Sequence, residues 1–113
     1  MLRKVLGVLL SILMFATMFV LILTAAYAQA GGDPAQGKEL AEDCADCHGE
    51  DGMGIAEFPR LAGLEEAYFV EQLTAFKTGE RVDENEIMPM YAEDLGDQDI
   101  ADLAAYYSSL AAE

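Results

Sequence analysis

The 113-residue chain has no tryptophan, one histidine, two cysteines and three prolines, and its six basic side chains face 21 acidic ones, a formal net charge of −15 at pH 7. Each scarcity excludes something. Two cysteines cannot build a disulfide-dense scaffold, an acidic balance excludes general binding of nucleic acid, and the length holds about one small domain rather than a two-domain enzyme. Strands are also missing from the pattern, because no run sustains an apolar-polar alternation. What the chain has in quantity is apolar residues, 53% of the total, much of it in one uncharged block from Val5 to Ala26.

Arg3 and Lys4 precede that block, and small residues close it at Ala26-Tyr27-Ala28 and Ala28-Gln29-Ala30. This is the layout of a secretory signal peptide cleaved after Ala28 or Ala30. As a helix the block would be roughly 33 Å long, enough to cross a bilayer core and longer than the ~7 to 15 residues of a usual signal core. An uncleaved membrane anchor is therefore the alternative. Either way Arg3 and Lys4 hold the N-terminus inside, so the remainder is expected outside the cytoplasm. It would be soluble in the periplasm, or tethered to the outer face of the inner membrane with residues 5–26 as its only membrane contact.

The chain thus divides into residues 1–30 and a domain at 31–113. The domain holds all 21 acidic residues and four of the six basic ones, which leaves it at −17. A core this small is marginal without a staple such as a disulfide, a metal or a large ligand. Three helical patterns are legible. The first opens at Asp33 as N-cap with Pro34 in the first helical position and runs to about Asp46. The second runs from about Leu64 to Thr78, with Phe69, Leu73 and Phe76 on one stripe and Gly79 to end it. The third runs from about Asp97 to Ala111, with Ile100, Leu103, Ala104, Tyr107 and Leu110 as its apolar face. Loops are expected at Gly49 to Gly63 and at Glu80 to Gly96.

Cys44-Ala45-Asp46-Cys47-His48 is the one place where thiols and an imidazole meet. C-x-x-C-H is the attachment signature of haem c: two thiols about a helical turn apart can each add to a vinyl group, and the adjacent imidazole then lies under the macrocycle to bind iron. Zinc normally recruits four Cys or His ligands and the chain supplies three. A thioredoxin-like redox pair would want a strand ahead of it, and none is legible. One covalently attached haem c would also be the missing staple. The second axial ligand is left to Met53, Met88, Met90 or a lysine; Met53 is too near His48 in sequence to reach the other haem face, whereas Met88 and Met90 have the chain length to do so.

These residues resemble a class I cytochrome c of the short bacterial monohaem type, similar also to one half of the dihaem cytochromes c. The resemblance rests on Gly37, on Cys44-x-x-Cys47-His48-Gly49, on Phe58-Pro59-Arg60-Leu61-Ala62-Gly63, on Tyr68, Gln72-Leu73, Gly79 and Met88, and on the segment from Asp97 to Tyr106. It covers essentially all of residues 31–113. It implies an all-α class I cytochrome c fold, three main helices wrapped around one covalently bound haem and preceded by the N-terminal hydrophobic helix.

By that resemblance His48 and Met88 are the iron ligands, with Met90 in reserve, and the Pro59 carbonyl accepts the His48 Nδ1–H. Arg60, Leu61 and Tyr68 belong to the haem pocket, and Arg60, Lys77 and Arg81 are candidates for the propionates. Gly37 lets the first helix cross closely against Leu103 and Tyr106. Gly96 departs from the pattern, since a Ser or Thr commonly caps the last helix there.

The implied function is one-electron transfer between respiratory or photosynthetic redox partners, without catalysis, because both axial positions are filled. A haem subunit of a periplasmic dehydrogenase is the alternative, and a five-coordinate gas sensor or peroxidase the remote one. Glu42, Asp43, Asp46, Glu50 and Asp51 flank the C-x-x-C-H sequence, so a redox partner with a basic docking surface is a further expectation.

Overall fold

The computed structural model describes residues 1–27 and 31–111, with side chains up to residue 21 and from residue 31. Two units separate, residues 1–30 and 31–113. The first is a single helix, α1, Leu2–Tyr27. Its Leu2–Leu21 stretch has a mean hydropathy of 2.3 and no residue buried, so by length and composition it can cross a membrane. Ala28, Gln29 and Ala30, at the expected cleavage points, lie outside the described residues.

The second unit contains five helices among its described residues: α2 Pro34–Leu40, α3 Glu42–His48, α4 Glu66–Thr78, α5 Ile87–Ala92 and α6 Asp97–Ser109. The only strand-like pairing described is an isolated bridge between Ile55 and Phe58. Asp33 caps α2 through its side chain, which accepts the Ala35 amide hydrogen at 2.9 Å, and Pro34 occupies a first-turn position that needs no donor. The expected first helix is nevertheless two. At Ala41 ψ is −9°, and its carbonyl is shared by the amides of Cys44 and Ala45 at 3.0 and 2.9 Å. This turn buries Ala41 in the core and re-aims the chain before the cysteines. An alanine signals nothing of the kind in sequence.

Two other boundaries differ. Helix α4 starts two residues later than the apolar spacing predicts, because Glu65 is extended at ψ 135°; Gly79, left-handed at φ 79°, ends it as expected. The expected loop from Glu80 to Gly96 contains α5. Pro89 does not prevent that helix because it lies in the first turn, where its missing N–H has no intrahelical partner to lose.

The core joins Phe69, Leu73 and Phe76 of α4 to Ile100, Leu103, Ala104 and Tyr107 of α6, with Ala41 and Ala92 filling between. Phe69 and Tyr107 stack with centroids 5.5 Å apart. Helix α2 crosses α6 at Gly37, where a Cβ would lie 2.0 Å from the Asp102 carbonyl oxygen and 2.8 Å from Tyr106 Cβ. The close neighbours at this glycine are thus Asp102 and Tyr106, one residue off the expected pairing with Leu103. Buried Asp102 fastens the same junction: its Oδ1 accepts the Asp33 amide at 2.7 Å and Gln98 Nε2 at 2.8 Å. Gly96 has no side chain to cap α6, but Asp99 Oδ2 accepts the Gly96 amide hydrogen at 2.8 Å, so one half of a capping pair survives.

Candidate functional site

Helix α3 delivers Cys44, Cys47 and His48 to one cavity of about 460 Å³. It ends there because Gly49 takes φ 87°, and the chain then folds back so that Pro59 passes beside the imidazole. His48 is 5% exposed, and its Nδ1 lies 2.7 Å from the Pro59 carbonyl oxygen. A carbonyl only accepts, so Nδ1 carries the hydrogen and Nε2 keeps its lone pair for a metal. Phe58 sets its ring edge-on to the imidazole, 6.3 Å between centroids.

Burial pushes the Cys44 thiol above its ordinary range, and Asp43 and Cys47 add to the rise against a hydrogen bond with the Tyr107 hydroxyl. Burial raises Tyr107 as well, with Cys44 contributing. Both groups are therefore neutral at pH 7. The other walls come from α4 with Tyr68, Phe69, Leu73 and Phe76, from Leu61 and Leu103, and from α5 with Met88 and Tyr91.

Met88 and Met90 sit two residues apart on α5, about 200° around a helix. Met88 is half-buried in the cavity wall; Met90 is 59% exposed and stands outside it. Met53 is also outside the wall. Of the basic candidates, Arg81 lines the cavity, donates to Gln72 Oε1 at 2.7 Å and covers the Phe76 ring at 4.6 Å. Arg60 is exposed and outside the wall, and Lys77 lies 4.0 Å from Asp97 instead. Asp43, Glu57, Asp83 and Glu84 also reach the wall, so the charged groups at the cavity are mainly carboxylates. Neither Asp83 nor Tyr107 belonged to any pattern that sequence reasoning could mark as part of a site.

The donor set fits haem c. Apolar walls suit a flat macrocycle, two thiols at one side suit its vinyl groups, and an imidazole nitrogen and a thioether sulfur are suitable iron ligands. A helical shell closed around such a slot defines a haem protein with covalent attachment. The cytochrome c family model matches residues 34–111, and the chain belongs to that family. It carries covalently attached haem c and works in electron transfer.

Three comparisons place it more closely. It is 42% identical over 80 residues to cytochrome c-554(548) of Halomonas halodenitrificans, covering 69% of this chain and 96% of that protein. It is 41% identical over 88 residues to the thiosulfate dehydrogenase electron acceptor of Stutzerimonas stutzeri, covering 76% of this chain but 38% of that protein. The structure is similar to that of cytochrome c4 from Acidithiobacillus ferrooxidans, with TM-score 0.66 and 36% identity over 72% of this chain and 52% of the other. The chain therefore spans about half of one of these two larger relatives and 38% of the other.

Proposed function

We propose that residues 31–113 form a monohaem one-electron carrier in which Cys44 and Cys47 hold the haem, and His48 and Met88 are its axial ligands. The observation that carries this reading is that His48 and Met88 line one cavity while Met90 is turned out of it. When bound, haem c supplies the reversible one-electron couple of its iron. The protein's part is to keep that couple and nothing else. Pro59 orients His48 and increases its basicity through Nδ1–H, the thioether of Met88 would supply the second iron ligand, and the apolar walls exclude water. Arg81, the basic side chain in the wall, is the partner we assign to a haem propionate.

The test is optical. Oxidised protein should show the weak near-infrared band of a Met sulfur to ferric haem bond, lost in Met88→Ala and kept in Met90→Ala. Rapid carbon monoxide binding by the reduced native protein would instead identify an open iron position and a gas-binding or peroxidase-like role.

Residues 1–30 act, in this reading, as the export signal that brings the domain outside the cytoplasm. Intact mass of the mature protein distinguishes cleavage after Ala28 or Ala30 from retention as an anchor. The likeness to a thiosulfate dehydrogenase electron acceptor favours a second role, as the haem subunit of a periplasmic dehydrogenase. Stable co-purification with a large catalytic chain would establish it over free diffusion between redox proteins.

A further inference from the structure

Asp83 makes two bonds around the turn that leads into α5. Its Oδ2 accepts the Met88 amide hydrogen at 3.4 Å, and its carbonyl accepts the Glu86 amide hydrogen at 3.1 Å. Between them sits Glu86 at φ 56°, a non-glycine residue in the left-handed region, a conformation that persists only where the surroundings fix it. Helix α5 is six residues long, too short to hold itself. The direction of Met88 is thus set by the turn before it rather than by the helix it belongs to. Direction matters here, because the next residue but one on this helix faces solvent.

The other carboxylate oxygen of Asp83, Oδ1, is buried with no hydrogen-bond partner, and the residue lies in the cavity wall. Leaving a charged acceptor there is unfavourable. A carboxylate needed only for solubility would sit in water. The placement instead ties Asp83 to the cavity and to the residue that enters it.

We propose that Asp83 is a positioning residue for the distal ligand: by accepting the Met88 amide hydrogen it holds the turn from residue 83 to 88 in the shape that keeps the Met88 sulfur on the iron. This rests on the assignment of Met88 as that ligand. Acceptor geometry is the decisive property, so Asp83→Asn, which keeps an amide oxygen at the same place, should substitute for the native residue, and Asp83→Ala should not.

The experiment uses haem-loaded protein, with haem content and far-ultraviolet circular dichroism measured for every variant. D83A is expected to lose most of the near-infrared band and, when reduced, to bind carbon monoxide about tenfold faster or more, whereas D83N stays within about twofold of the native protein on both. Glu80→Ala, which removes an exposed carboxylate outside the wall, should match the native protein. A D83A protein indistinguishable from native overturns the proposal. Equal impairment of D83A and D83N also overturns it, since charge and not the acceptor would then matter. If D83A alone does not fold, the double variant with Glu86→Gly relieves the left-handed turn; once folded it should show less of the band than Glu86→Gly alone, and an undiminished band overturns the proposal. Persistence of the band in M88A would show separately that the ligand assignment itself is wrong.

Discussion

Gly54 holds φ at 87°, and a Cβ there would meet the Phe58 carbonyl oxygen at 2.6 Å and the Pro59 carbonyl carbon at 3.1 Å. It is the residue that lets the chain from 58 to 60 lie against the proximal imidazole. Gly54→Ala should push Pro59 away from His48, lengthen the 2.7 Å bond and leave the imidazole a weaker donor. Ferric iron then loses more stabilisation than ferrous, so the reduction potential should rise. Spectroelectrochemical titration of the variant against the native protein checks the sign.

At this scale the sequence is uneven in what it reveals. Cys44, Cys47 and His48 are contiguous and carry their chemistry in their spacing. Pro59 became a candidate only through resemblance, which also chose Met88 over Met90, since nothing in a linear pattern says which carbonyl passes an imidazole. Asp83 is silent because its meaning lies in a turn, and Arg81 could be told from Arg60 and Lys77 only once the cavity wall existed.

Among the helices, the α2–α6 crossing is the tightest junction described. Gly37→Ala places a methyl group 2.0 Å from a backbone oxygen, which no rotamer change relieves, and the expected loss is about 3 kcal/mol. Each kcal/mol lowers the melting temperature of a domain this size by roughly 4–8 °C, so thermal melts of the ferric protein should show it plainly. Gly79→Ala is the comparison: nothing lies within 4 Å of its added Cβ, and only the strain of a left-handed alanine, roughly 1–2 kcal/mol, should appear.

The long helices were legible because each repeats an apolar stripe over about a dozen residues. The break at Ala41 and the six residues of α5 were not. The first follows from what Ala41 packs against; the second is a helix held by its neighbours, with a proline placed where a helix tolerates one.

For the domain as a whole, charge is the dominant property. At −17 over residues 31–113, with carboxylates around the cavity, it should meet a basic redox partner at a rate that falls as ionic strength rises. Stopped-flow oxidation over a range of salt concentrations measures this, and a flat profile would make the acidic coat a matter of solubility alone.

Truncation probes the architecture. A chain ending at Leu95 keeps Cys44, Cys47, His48 and Met88 but lacks α6, which supplies much of the core. It should still carry covalent haem on a denaturing gel stained for haem, yet lack the near-infrared band because nothing closes the distal side.

That expectation reflects an order of events written into the helix crossing. Gly37 and Asp102 meet across most of the domain's length, so a domain delivered from residue 31 onward presents its thiols and imidazole well before the segment that seals them has appeared. If residues 1–30 export the chain as proposed, the attachment sequence would spend its first moments outside the cytoplasm in an open chain, accessible to whatever machinery joins haem to it. Closure by the last helix then makes the product hard to reverse or to reach.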